Sequence, residues 1–332
     1  MNSTTIYVNR NIDSIFAAAA LAVALGRKGY RVFIEFPQES SLKKLNIHNS
    51  YAVDILHTSG ASLRNSIALS HLSQRKLGLI YKYDTEGKYN IYMKLSNVSS
   101  TLEIALEYIK TLNESVSVPG NLLNDLAFIK SNNVKRLTRI GRVLYYAYRW
   151  GLNNDDLLHT IYNYAYGVVT TKTLKLSESL EKAARNFEYS LNIKDEIINE
   201  QRYMQKDNVA LAIISSASED EFVRSNLIYI KSIINELLSD LCRKHALAVL
   251  VYESNQVHEA KFCINRDVPI DLSKMFASLP GDILSYVNYT YKGAQATMTF
   301  KNPNNATLDN AIRICNAVIS EFIQAIKGVR NN

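Results

Sequence analysis

Val8-Asn9-Arg10-Asn11-Ile12-Asp13-Ser14-Ile15 is a polar junction between two apolar segments. Before it, Thr5 to Val8 has the short, β-branched and aromatic composition of a buried strand. After it, an alanine-rich run predicts a helix from about Asp13 to Lys28, and Arg31 to Phe36 predicts a second strand that ends at Pro37. Strand, helix and strand in so short a space form a β-α-β unit, the start of a mostly parallel sheet. Polar side chains at such a junction lie where a sheet edge meets a helix N-terminus, a common place for chemistry.

Working outward, Tyr51 to His57 and Leu77 to Tyr83 read as further strands, separated by a helix-like segment near Ala61 to His71. Tyr89 to Met93 alternates apolar and polar residues, as an edge strand does. Helical spacing covers Leu102–Leu112, Leu122–Ile129, Val134–Trp150 and Asp155–Tyr166. A long helical pattern from Leu174 to about Tyr203 follows, with Leu176, Leu180, Ala183, Phe187 and Leu191 on one face.

The second half restarts with a strand at Val209–Ile214 and one strong helix through Leu227, Ile230, Ile234, Leu237 and Leu241. Strands at Leu247–Tyr252 and Glu259–Ile264, a short helix at Asp271–Phe276, a strand pair joined near Gly293 and a last helix through Ile326 complete it. The expected organisation is α/β: a first domain over 1–170 with a mostly parallel, helix-flanked sheet, a connecting helix over 171–206, and a smaller α/β domain over 207–332.

Charge and composition narrow the function classes. Of 332 residues, 47% are hydrophobic and 21% charged, which excludes wholesale disorder. A net charge of +7 fits an anionic partner, nucleic acid first, and equally fits simple solubility. The longest apolar run, Ile15 to Leu25, falls well short of the ~20 residues of a membrane span. Cys242, Cys263 and Cys315 form no CxxC pair, so three reduced thiols in a cytoplasmic protein are expected. No Gly-rich phosphate loop and no GxSxG elbow is present, and the six histidines form no HxH or HxxxH pair.

At the first junction the chain resembles the DHH family of phosphoesterases, the RecJ group. There a strand closes on His-x-Asp-x-Asp before a helix, and those side chains hold two manganese ions that activate water and clamp phosphate. The histidine position falls on Asn9, the first aspartate position on Asn11, and the second aspartate is kept as Asp13. The next strand-end acid falls near His57, in Asp54-Ile55-Leu56-His57. The Asp-His-His signature falls on Lys82-Tyr83-Asp84, and a later aspartate on Asp125. Neutral amides are poor ligands for a hard dication, and a lysine would repel it. The resemblance therefore implies a binding protein without catalytic residues, metal or cofactor, in which Asp13 serves as a helix cap.

The second half resembles the DHH-associated domain, which grips nucleic acid. Arg266 falls where the family places a phosphate-binding arginine, and Lys292-Gly293 stands in place of a Gly-Gly-His stretch. Lys135, Arg136, Arg139 and Arg142 form the densest basic run, followed by Tyr145, Tyr146 and Tyr148, a composition suited to tracking a single strand or to a solvated helix face. The resemblance implies a degenerate RecJ-like subunit of the archaeal replicative helicase complex, nucleoid-associated in the cytoplasm, whose partners are GINS, the MCM helicase and single-stranded DNA. The alternatives are a manganese-dependent single-strand exonuclease or small-nucleotide phosphodiesterase using Asp13, Asp84 and Asp125, and a nucleic-acid-binding module outside replication.

Overall fold

Burial on all sides explains the alanine-rich helix. In a computed structural model, which describes residues 2–151, 154–254 and 257–330 and all their side chains except those of 57, 73, 292 and 328–330, strand β1 (Ser3–Val8) leads into helix α1 (Ile12–Arg27). Every residue of α1 from Ile12 to Leu25 is buried, and its alanines let the helices over 101–111 and 155–171 pack closely against it. The chain divides into two compact units, Met1–Phe187 and Glu188–Asn332.

The first unit continues with β2 (Arg31–Glu35), β3 (Asn46–His48), β4 (Tyr51–Val53), β5 (Ser62–Arg64), β6 (Ile67–Leu72), β7 (Leu77–Tyr83) and β8 (Tyr89–Ser96). Helices α2 (Thr101–Thr111), α3 (Gly120–Lys130), α4 (Arg139–Trp150) and α5 (Asp155–Thr171) follow. The main sheet has the order β2-β1-β4-β6-β7-β8, parallel through β6 and antiparallel beyond it. Alternation divides its faces. Val53, Leu69 and Ile80 join the core beneath the helices, while Ala52, Ala68 and Tyr83 join a smaller core with Ile47 and Leu63 of the β3–β5 pair.

Three expectations change here. The helix-like segment at 61–71 is instead β5 and β6, because a short apolar run buried in a sheet carries no helical period. The strand expected over 51–57 ends at Val53, where Asp54 adopts a left-handed φ of 54°. The long helix α6 runs Glu178–Asn199, four residues in from the expected start, after Lys172 ends α5 in a left-handed turn.

In the second unit, β9 (Met204–Lys206), β10 (Val209–Ile214), α7 (Glu221–Ser225), α8 (Leu227–Lys231), α9 (Ile234–Lys244), β11 (Leu247–Ser254) and β12 (Val257–Ile264) are followed by α10 (Leu272–Ala277), α11 (Gly281–Tyr286), β13 (Val287–Lys292), β14 (Gln295–Phe300) and α12 (Leu308–Arg330). The sheet order is β13-β14-β12-β11-β10-β9, with only β10 and β11 parallel. The single helix expected from Leu227 to Leu241 is broken at Ser232, whose hydroxyl bonds the Tyr229 carbonyl at 2.7 Å. Cys242 on α9 and Cys263 on β12 form a disulfide with a Cα–Cα distance of 5.8 Å. The expectation of three reduced thiols is thus corrected: α9 packs over β12 and brings two of them together, and only Cys315 is free and buried. Among the described residues no helix is long and apolar enough to cross a membrane.

Candidate functional site

The carboxyl ends of the parallel strands β1, β4 and β6 meet the N-termini of α1 and α2, and the first junction lies there. Asn9 belongs to the backbone framework: its N–H donates to the Val53 carbonyl at 3.0 Å and its Nδ2 to the Asp54 carbonyl at 3.1 Å. Asn11 is the cap of α1, its side-chain oxygen accepting from Ser14 N at 2.8 Å. Both neutral amides therefore hold the chain in place.

Asp13 does not cap its own helix. It is 2% exposed, and its carboxylate accepts from the free N–H groups of a different helix, α2: Thr101 N at 2.6 Å and Leu102 N at 3.2 Å. The expected cap role is corrected in this sense. Ser100 is the N-cap of α2, bonding Glu103 N at 3.1 Å while Glu103 bonds back to Ser99 N at 2.7 Å. Thr101 and Leu102 are thereby left pointing at Asp13.

The strand-end acid of β4 is Asp54. His57 lies in a short 3₁₀ turn beyond it, and its side chain is outside the described residues. Asp54 accepts from Ser14 Oγ at 2.7 Å, Thr101 Oγ1 at 2.6 Å and His71 N at 3.0 Å. Between the two acids stands a residue the sequence did not announce. Lys130, the last residue of α3, donates to Asp13 at 2.8 Å and to Thr101 Oγ1 at 2.7 Å, and its ammonium is 3.6 Å from Asp54. Side-chain exposures of 3% for Asp13, 12% for Asp54 and 18% for Lys130 make this an interior ion triad.

Strand direction separates the expected Asp-His-His position from this edge. Because β7 runs antiparallel to β6, with Ile67 opposite Lys82, the stretch Lys82-Tyr83-Asp84 reaches the opposite edge of the sheet. Asp84 there organises the β7–β8 turn, accepting from Glu86 N and Lys88 N at 2.9 Å each. Tyr83 is core and Lys82 is exposed. Asp125 is 1% exposed and holds the start of α4, accepting from Thr138 N at 2.8 Å and from the Thr138 hydroxyl.

These residues do not fit a two-metal centre. Among the described residues no group of three His, Cys, Asp or Glu side chains is placed to hold a metal. Asp13 and Asp54 are each surrounded by hydrogen-bond donors, and an ammonium already stands where a dication would bridge them.

The basic candidates are exposed. Lys135 and Arg136 lie on a 3₁₀ turn, Arg139 and Arg142 on the first turn of α4, and no ion pair to any of the four is found among the described residues. Residues 126–154 contain no acid, and four of their six basic side chains, Lys135, Arg136, Arg139 and Arg142, are exposed. Of the three tyrosines, Tyr146 packs on the Phe187 ring and Tyr148 donates to the Arg10 carbonyl at 2.7 Å, leaving Tyr145 on the basic side with Arg149 5.9 Å from its ring. In the second unit, Ile264 N bonds the Ala294 carbonyl at 3.0 Å, which brings exposed Arg266 to the same sheet end as Gly293 (φ 62°). The Lys292 side chain lies outside the described residues.

No family model and no curated protein matches the chain. Solved structures do. The chain is similar in structure to RecJ and to CDC45. RecJ from Thermus thermophilus, solved with Mg2+, aligns at 10% identity and a TM-score of 0.48 over 96% of this chain and 50% of that one. CDC45 from Entamoeba histolytica aligns at 8% identity and a TM-score of 0.46 over 97% and 95%. The chain spans about half the length of RecJ.

Proposed function

We propose that this chain is a non-catalytic RecJ-like protein that acts as a binding subunit in DNA replication, joining GINS and MCM and contacting single-stranded DNA. The observation that carries the reading is the ion triad: at the sheet edge where DHH-type acids would gather around metal, Asp13 and Asp54 are the acids found among the described residues, and Lys130 lies between them. On this reading the Asp-His-His signature falls at the end of β6, on Ser70-His71-Leu72, with one histidine kept. That placement replaces Lys82-Tyr83-Asp84, which strand direction carries away.

The four unpaired cations of 135–142 supply a surface for a phosphodiester backbone, and Arg266 supplies a second in the other unit. Two assays test the proposal. Purified GINS and MCM should be retained by the immobilised chain, and complete absence of binding removes the replication role. Single-stranded DNA incubated with MnCl2 should stay intact, and hydrolysis that Asp13→Ala abolishes would establish the exonuclease reading instead.

A further inference from the structure

We infer that Asp13 and Asp54 form a cation-binding site that the chain fills with its own ammonium, so that Lys130 performs the structural task of a divalent ion and makes this sheet edge independent of one. The inference rests on the non-catalytic reading above and deepens it.

The two acids need a cation. Asp13 and Asp54 share the donor Thr101, whose N–H goes to one acid and whose hydroxyl goes to the other. A buried and a partly buried carboxylate that share one donor residue repel while both are ionised, unless a cation lies with them. Ser14, Thr101, Leu102 and His71 N are neutral donors, and they satisfy lone pairs without supplying charge. Among the described residues Lys130 is the one cation paired with either acid. Asp125 provides an internal control. It is as buried as Asp13, it accepts two bonds from Thr138, and no ion pair to it is found among the described residues.

The space between them suits an ammonium. This group is a compact point charge with three donors, and that of Lys130 meets Asp13, Thr101 and Asp54 in three directions. A dication there would need oxygens at roughly 2.0–2.6 Å, well inside the ammonium's hydrogen-bond distances, and would displace the ammonium. The tether matters as well. Lys130 closes α3, so its cation is delivered by folding and does not depend on the ions in solution.

The test uses the full chain, with MnCl2 as the probe. Lys130→Met keeps most of the side-chain volume and removes the charge. We expect the variant to melt below wild type and to recover with millimolar MnCl2. It should also bind Mn2+ about tenfold or more tightly than wild type by calorimetry, since a unit charge beside both acids is gone. Wild type should melt at the same temperature in MnCl2 and in EDTA.

A Lys130→Met protein as stable as wild type, or one that melts low without any response to Mn2+, overturns the inference. So does a wild type that gains as much from Mn2+ as the variant. Should Lys130→Met not fold, the double variant Asp13→Asn, Lys130→Met decides: recovery of folding supports the charge argument and continued failure overturns it. Manganese-dependent hydrolysis of single-stranded DNA by wild type would instead overturn the non-catalytic reading and the inference together. An inactive wild type with an unresponsive variant overturns the inference alone.

Discussion

Gly141→Ala is the substitution by which the role of Asp125 can be measured. Gly141 lies in the first turns of α4, directly over the Asp125 carboxylate. A Cβ at that position would stand 2.3 Å from Cγ, 2.5 Å from Oδ2 and 2.7 Å from Oδ1, roughly 1 Å inside ordinary contact. Asp125 cannot simply retreat, because Thr138 N holds it at 2.8 Å and the Thr138 hydroxyl holds its other oxygen. Breaking one such bond to a charged group costs about 1.5–3 kcal/mol, and residual overpacking adds about 1–3 kcal/mol. Alanine recovers about 1 kcal/mol of helix propensity over glycine. The net expectation is a loss of about 2–4 kcal/mol in urea unfolding, with an unchanged m-value.

Asp125→Ala alone leaves the Thr138 donors unpaired and should lose about as much, about 2–4 kcal/mol. In the double variant the new methyl enters the space the carboxylate left, so the two losses should fall short of additive by about 1–2 kcal/mol. Strict additivity, or a Gly141→Ala protein as stable as wild type, would refute the packing of α4 on Asp125 and reopen that aspartate as a candidate ligand.

Three further outcomes are expected. Replacing Cys242 and Cys263 by serine should lower stability by about 3 kcal/mol, because the bridge closes a loop of sequence separation 21, and thiol titration of the denatured, unreduced protein should find one free thiol. Burial, with the Lys244 ammonium nearby, holds His245 below the ordinary imidazole value. The unfolded chain therefore takes up a proton first as pH falls, and stability should be complete above about pH 6.5 and decline below it. His245→Gln, measured by urea unfolding between neutral and mildly acidic pH, should reduce that slope. Arg139→Ala and Arg142→Ala should each weaken binding to single-stranded DNA and reduce the salt slope of log K by about 0.7. An unchanged slope would remove α4 from the DNA surface.

The two-domain α/β plan was legible because periodicity and junctions report on local structure. The strand expected at 5–8, the helix expected at 13–28 and the edge strand expected at 89–93 are all present, the alanine content reporting burial directly while the apolar Tyr89 and Ile91 of the edge strand stay exposed. The site was legible only in part. Asn9, Asn11 and Asp13 lie together at the end of β1 and the start of α1, and Asp54, at the end of β4, lay within the quoted stretch ahead of His57. Ending β4 at its first charged residue would have found it. The placement of Lys82-Tyr83-Asp84 assumed a parallel strand, and nothing local in Leu77–Tyr83 encodes strand direction. Lys130 carries no signal at all: it is one of many lysines near a helix end, and its partner lies 117 residues away in sequence.

The Asp13–Lys130–Asp54 triad also bears on how such a chain can change by mutation. Each member balances the others, so Asp13→Asn or Asp54→Asn while Lys130 stays would leave the ammonium with a single carboxylate. Removing Lys130 first would leave the two carboxylates facing each other. Either single step lowers the population of folded molecules. Folding itself therefore opposes change at any one of these three positions alone.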